Sequence, residues 1–361
     1  MTTEVQRHSG YLVPQEPEVY YPFFDFLRIA LALGVFCAHA GVPTPANFGN
    51  ACVQVFFALS GFLIGGILCR TERTQLPRFY FNRVTRIWIP YAIAILLLLA
   101  MTVVKGQKVD LKMTEFFVYM ATFVYNYFGP PQLATARERM PLDGTGNHFW
   151  SICVEEQFYL IAPFVVVLLP RLRVAVLLLV WALNFWVPHD FAGIALGVLL
   201  ALSLRSYGEW YLKRPAVVTL AAITAGLVVA SMKGWVPYLT AAPLASVALV
   251  ALLARRGSPL PLGKLLGGIS YPFYLNHGVG LLLRKSMGRH LGLPVWGTFI
   301  AALAISFSVN WAHYWLIDRK VHAKRGGWYT PALGRACFIG GVLLTVLGVA
   351  AAWAFHRWPP R

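Results

Sequence analysis

Apolar residues fill the chain from Phe23 to Phe355 in long runs, separated by short polar segments. Most runs approach the ~20 residues that cross a bilayer as an α-helix. They predict helices over about 23–42, 48–69, 87–105, 149–169, 172–187, 189–205, 215–231, 235–254, 265–283, 294–317 and 332–355. The aromatic segment 114–128 falls short of the ~17 residues a span needs, so it reads as an interfacial or re-entrant piece. The expectation is an all-α, polytopic transmembrane helix bundle: a ten-helix core ending at residue 317, plus one additional C-terminal helix. By domain, 1–20 is a polar cytoplasmic or interfacial segment and 21–320 the membrane domain. Residues 321–361 add a basic loop, the extra helix and a short tail. No internal repeat of the kind found in many transporters is visible.

Loop charge sets an orientation. Segment 70–86 carries Arg70, Arg73, Arg78, Arg83 and Arg86, whereas loop 41–47 has no basic residue. Basic loops stay cytoplasmic, which puts the N-terminus inside. The later inside loops are then all basic. Two outside groups dissent: Lys105, Lys108 and Lys112, and Arg284, Lys285 and Arg289.

Composition supports the bilayer as solvent. The 361 residues are 58% hydrophobic and 12% charged, against about 25% charged in soluble domains. A net charge of +17 would in isolation suggest nucleic acid. Here the basic residues sit in short loops, so the expected partner is membrane lipid with anionic headgroups, and no nucleic acid. The five cysteines show no metal spacing, and no metal site is expected. Ala38-His39-Ala40 resembles a signal-peptide cleavage site, but the preceding stretch carries Arg28 and lacks a basic leader.

Ionisable groups inside membrane helices are costly, so each is a functional candidate. Arg28 and His39 are eleven residues apart. They share one helix face, about 16 Å apart along the axis. Histidine suits a general base; a structural histidine and a snorkelling arginine explain the spacing equally well. Asp25 is one turn away as an ion-pair partner. His148, Ser151, Glu155 and Tyr159 recur at three- and four-residue steps and form one helical stripe, with Glu156 beside it. Arg83 and Arg86, with Arg78 nearby, suit phosphate groups or are simply loop charge. Ser60-Gly61 permits a close approach of backbone, and Asn276 and His277 lie within the helix predicted over 265–283.

The order of these sets resembles the acyltransferase 3 family, membrane O-acyltransferases that mostly modify glycans. Asp25-Phe26-Leu27-Arg28 running to His39 is similar to the family's opening motif, with Phe26 where glycine is usual. Phe56 to Leu63, Arg83-Val-Thr-Arg86-Ile-Trp-Ile-Pro90-Tyr91, Trp150 to Tyr159 and Ile269 to His277 resemble the following four. The closing motif is only approximated by Asp318-Arg319-Lys320. The resemblance covers roughly residues 20–320 and implies an acyl-CoA co-substrate, taken as acetyl-CoA, on the cytoplasmic side. It also implies essential roles for Arg28 and His39 and a bacterial inner membrane.

On that resemblance, the nucleotide end of CoA is expected on Arg83, Arg86 and Arg78, with the pantetheine arm passing Ser60 and Gly61. Arg28 would contact that arm or polarise the thioester carbonyl, and His39 would deprotonate a glycan or other hydroxyl acceptor entering from outside. Glu155 or Glu156 would orient His39. His148, Ser151, Tyr159, Asn276 and His277 would line the substrate path. Direct transfer is favoured over an acyl-enzyme on Ser151 or Cys153. The competing class is a transporter or flippase that uses the same charges as a translocation path.

Overall fold

The computed structural model describes residues 19–130, 140–187 and 189–357, without the side chains of 285, 286, 289, 290, 356 and 357. Among the described residues there is no strand. The helices are α1 (Pro22–His39), α2 (Phe48–Leu68), α3 (Leu76–Val104), α4 (Leu111–Ala121), α5 (Tyr125–Phe128) and α6 (Trp150–Pro163). They continue with α7 (Arg173–Leu183), α8 (Phe191–Tyr207), α9 (Arg214–Met232), α10 (Tyr238–Leu253) and α11 (Pro261–Asn276). Last come α12 (Gly278–Leu291), α13 (Val295–His313), α14 (Arg319–Trp328) and α15 (Pro331–Arg357). Wider π turns extend α6 over Phe164–Leu168 and join α13 to α14 over Tyr314–Asp318. Seven of the described helices are long and apolar enough to cross a membrane; α7, α8 and α10 are shorter apolar helices.

Three boundaries differ from the sequence expectation. α3 begins at Leu76 rather than near residue 87, with Pro77 in its first turn. Proline fits the first turn because it lacks an N–H that would be orphaned there. The arginines hide this start from a hydropathy window, yet they sit on the helix itself. The helix expected over 265–283 is interrupted at His277 between α11 and α12. Segment 114–128 resolves into α4, whose eleven residues reach only about 16 Å, and the single turn α5. Asp110 caps α4 by accepting from Met113 N at 2.8 Å. The chain then turns at Phe123, where φ is +58°. Gln157 of α6 holds this turn, donating to Phe123 O at 2.7 Å and exchanging bonds with Asn126.

Hydrophobic burial between helices drives little in lipid, so close packing of small residues takes its place. Gly61 and Gly65 of α2 face Gly193 and Gly197 of α8. A Cβ on Gly61 would lie 2.1 Å from Ile194 O, and one on Gly197 would lie 2.2 Å from Ala58 O. The two helices therefore run parallel with backbones touching. α15 lies along α3, with the Tyr80 and Phe338 rings 4.8 Å apart. It also meets α6 where Gly341 fits over Leu160. α9 buries no residue and presents Val218, Ile223, Val228 and Val229 outward. A face of that kind suits contact with hydrocarbon.

Candidate active site

The polar side chains gather at two levels, joined by the faces of α1 and α6. Eleven residues on each helix separate the ends of its set: Arg28 and His39 on α1, His148 and Tyr159 on or just before α6. α1 is antiparallel to α6, so His39 stands level with His148, and Arg28 lies toward Glu155 and Tyr159.

The first level is a cluster of three histidines. His39 closes α1, His148 lies in the turn Asn147–Phe149 ahead of α6, and His277 occupies the break between α11 and α12. His39 Nδ1 is 2.8 Å from His277 Nε2, and His277 Nδ1 is 2.7 Å from Tyr274 O. The His148 ring lies 4.5 Å from that of His277 and 6.1 Å from that of His39. Among the described residues, no group of three His, Cys, Asp or Glu is placed to hold a metal ion.

These contacts fix protons. A carbonyl oxygen only accepts, so His277 Nδ1 carries a hydrogen and donates to Tyr274 O. Neutral His277 then presents a lone pair at Nε2. His39 Nδ1 must donate to it, which leaves His39 Nε2 as a lone pair. His277 is 1% exposed and His148 5%, whereas His39 is exposed. The one accessible imidazole is the one whose free nitrogen is basic.

Around this cluster, Ser151 Oγ and Tyr274 OH are 2.6 Å apart, and Ser151 also donates to His148 O at 3.0 Å. His148 Nε2 donates to Leu275 O at 3.1 Å. Asn276 bonds to Asn310 Oδ1 at 3.1 Å and His313 Nδ1 at 3.2 Å, while Ser306 donates to His277 O. The break in the helix is thus held from α13 as well as from α1.

The second level holds the carboxylates and arginines. Glu155 accepts from Ser60 Oγ at 2.7 Å and from Tyr159 OH at 3.2 Å. Glu156 accepts from Trp88 Nε1 at 2.6 Å, and its other oxygen is buried without a partner. Arg28 pairs with Asp25 at 3.0 Å, and Asp25 also accepts from Tyr20. Arg83 lies in the field of Arg86, Tyr159 and Glu156, and Arg28 in that of Arg86. The Arg83 Nε is buried and unpartnered. Arg28 is paired with Asp25, and among the described residues Arg83 and Arg86 form no ion pair with a carboxylate, so their guanidiniums suit an anion.

The structure thus joins Arg28, Arg83, Arg86, Glu155, Glu156, Ser60 and Tyr159 at one level, and His39, His148, Ser151 and His277 at the other. Three expectations need correction. The hydrogen-bond partner of His39 is His277, not Glu155 or Glu156, which are bonded to Ser60, Tyr159 and Trp88. The bare side of Gly61 is filled by Ile194 O of α8, so that glycine serves helix packing rather than a substrate passage. Arg78 turns away from the other two, its guanidinium 5.2 Å above the Tyr329 ring.

Sequence reasoning also missed residues. Asn310 and His313 are three apart on an apolar helix, a spacing that places both on one face. Tyr274 sat in a quoted motif without a role. Arg284, part of a dissenting basic group, donates to Ala40 O at the end of α1 and to Thr298 Oγ1. A cation there answers the unpaired carbonyls of a helix C-terminus, which gives Arg284 itself a structural place at the end of α1.

The sequence model of a family described as an acyltransferase domain matches residues 21–315. The O-acetyltransferase OatA of Staphylococcus aureus (strain NCTC 8325) is 27% identical over 154 residues, 42% of this chain and 25% of the relative. A Staphylococcus aureus (strain COL) protein bearing an O-acetyltransferase name is 30% identical over 165 residues, again 42% and 25%. The matched stretch therefore spans a quarter of the length of these curated relatives. No solved structure matches the chain.

Proposed function

This chain belongs to the acyltransferase domain family, and from that premise we propose that it is an O-acyltransferase of a bacterial inner membrane. It moves an acyl group, acetyl in the simplest case, from cytoplasmic acyl-CoA to a hydroxyl of a carbohydrate or related acceptor. The acceptor is reached from the outer side. In this reading the N-terminus is cytoplasmic, ten helices form the core, and α11 with α12 counts as one broken span.

The observation that carries the reading is the chain His39 Nδ1 to His277 Nε2, then His277 Nδ1 to Tyr274 O. It holds the accessible His39 in the tautomer of a general base, as a base-plus-orienter pair requires. The acceptor O–H gives its proton to His39 Nε2 as its oxygen bonds to the thioester carbonyl carbon. The resulting oxyanion collapses, the carbon–sulfur bond breaks, and the CoA sulfur takes the proton back from His39. An ester and free CoA thiol result. Arg83 and Arg86 hold the CoA phosphates from the inner side, and Arg28, restrained by Asp25 about 16 Å along α1 from His39, contacts the pantetheine arm that runs between the two levels. Glu155 and Tyr159 keep that level hydrogen-bonded.

The test is release of free thiol from acetyl-CoA by the purified chain, with glucose, an N-acetylglucosamine oligomer and dodecyl glucoside as acceptors. Acceptor-dependent release, abolished by His39→Ala in a protein that still elutes as a single folded species, is expected. Full activity in His39→Ala removes the histidine from the mechanism. Uptake of an acceptor into vesicles without thiol release identifies a transporter instead.

A further inference from the structure

Beyond the histidines, on the side away from the arginine level, the walls are cationic. α11 runs parallel to α1: Asp25 packs on Gly267, Phe36 on Phe273 and His39 on His277. α12 continues that line past the histidines. On it Arg284 follows His277 by seven residues, two turns or about 10 Å. Both side chains turn to α1, His277 onto His39 and Arg284 back onto Ala40 O. Along α1, the guanidinium thus sits one residue from the base.

Arg284 is held at two points. Its Nη1 donates to Ala40 O, its Nε donates to Thr298 Oγ1 of α13 at 3.3 Å, and the Phe299 ring centre lies 6.0 Å from its guanidinium carbon. Closing the end of α1 needs a single donor, whereas a guanidinium has five in a planar fork. Among the described residues, no carboxylate pairs with it and its Nη2 edge has no partner. α12, α13 and the loop 41–47 contain no Asp or Glu, and α12 also carries Lys285 and Arg289. The elements packed around Arg284 therefore supply nothing to balance its charge.

A second basic group borders the same side. Gly278, the first residue of α12, packs against Thr145. The Thr145 loop is tied in turn to the loop before α4, where Gln107 Oε1 accepts from Leu142 N at 2.8 Å and Gln107 adjoins the exposed Lys108. Of the acids there, Asp110 caps α4, Glu115 accepts from Tyr119 at 2.7 Å, and Asp143 is exposed on the rim. These are the two basic groups that depart from the loop-charge rule, which otherwise keeps such residues on the cytoplasmic face. Cations retained on the opposite face, beside a reactive imidazole, draw anions toward it.

We propose that the acceptor is an anionic sugar, one bearing a carboxylate or a phosphate, and that Arg284 binds the anion while a hydroxyl of the same sugar reaches His39. A planar fork fixed at two points suits such a group better than a mobile ammonium does. This rests on the acyl-transfer reading and narrows its acceptor from any hydroxyl compound to a negatively charged one.

Thiol release from acetyl-CoA is measured on the full chain in nanodiscs of phosphatidylcholine, with glucose, glucuronate and glucose 1-phosphate as acceptors. The last two tell carboxylate from phosphate. At ~20 mM salt, kcat/KM for at least one of the anions should exceed that for glucose about tenfold or more, the scale of a charge-assisted hydrogen bond. The ratio should shrink about threefold or more at ~500 mM salt, where exposed charges are screened. It should fall about fivefold or more in Arg284→Gln and recover in part in Arg284→Lys. Modification of Arg284 by phenylglyoxal, mapped by mass spectrometry with no CoA present, should be slowed by the favoured anion and not by glucose. A parental ratio near one, a ratio unmoved in Arg284→Gln, or equal protection by glucose overturns the proposal. Should Arg284→Gln fail to fold, the ratio, its salt dependence and the protection, all read on the unaltered chain, decide. Absence of thiol release with every acceptor strikes the acyl-transfer reading instead, and the protection experiment still decides whether Arg284 takes an anionic sugar.

Discussion

Replacing His277 with alanine tests the proton arrangement without touching the proposed base. The His39 Nδ1–H loses its acceptor 2.8 Å away. That Nδ1 edge faces the buried His277 ring although His39 itself is exposed, and a donor left unpaired on the buried side costs about 1–3 kcal/mol at most. His39 escapes that cost by turning its ring or by exchanging its proton to Nε2, and either move removes the lone pair from the acceptor. If the whole penalty falls on the reactive arrangement, kcat drops roughly 5- to 150-fold. Loss of the base in His39→Ala should cost more, about 10²- to 10⁴-fold. The double variant should be no slower than His39→Ala alone, because His277 acts only through His39. KM for acetyl-CoA should hold, since the arginine level lies about 16 Å along α1. The assay is thiol release at varied acetyl-CoA, with circular dichroism and gel filtration to confirm folding. Added imidazole should restore part of the rate in His277→Ala by occupying the vacated site. Multiplicative losses in the double variant, or a parental kcat in His277→Ala, would refute the relay.

Other perturbations probe the remaining parts. Arg83→Gln with Arg86→Gln should raise KM for acetyl-CoA about tenfold or more, as lost charge-assisted bonds of 1.5–3 kcal/mol imply, with a smaller change in kcat; steady-state kinetics at varied CoA donor decides it. Gly61→Ala should lower the midpoint of thermal unfolding in detergent, because its Cβ would meet Ile194 O at 2.1 Å, whereas Gly66→Ala, with nothing within 4 Å, should be near neutral. Burial pushes the carboxyl of Asp190, in the loop before α8, from 3.8 up to about 6. The folded state therefore binds the proton more tightly than the unfolded chain, and stability falls as pH rises from about 4 to about 6. Asp190→Asn should accordingly stabilise at pH 7.5 by about 1–3 kcal/mol and do little at pH 4, read by thermal unfolding at both values.

Much of the polar stripe was legible because a charge in an apolar run has few innocent explanations, and helical spacing sorts such charges by face. His148, Ser151, Glu155 and Tyr159 emerged in that way, as did Arg28 with His39. Which stripe meets which was not legible. The pairing of His39 with His277 joins residues 238 positions apart, and no local pattern encodes it. The carboxylates drew attention as orienters of the base, yet each is bonded to a hydroxyl or indole at the arginine level, with one Glu156 oxygen left unpartnered. The start of α3 was misplaced because eleven helical residues before position 87 are too polar for a span and too short to stand alone. Gly61 was read for what its missing side chain admits, but only the packing of α8 reveals the visitor.

The shared backbone contact of α2 and α8 bears on how the molecule can move. Two parallel rods locked through four glycines cannot slide or tilt against each other without opening voids along the seam. They form a fixed mast running the depth of the bundle, with Ser60 on one of its members. Rocking-bundle carriers work by swinging one half of the protein around a bound solute; a mast of this kind instead favours a standing conduit, in which the donor and the acceptor travel and the protein stays still.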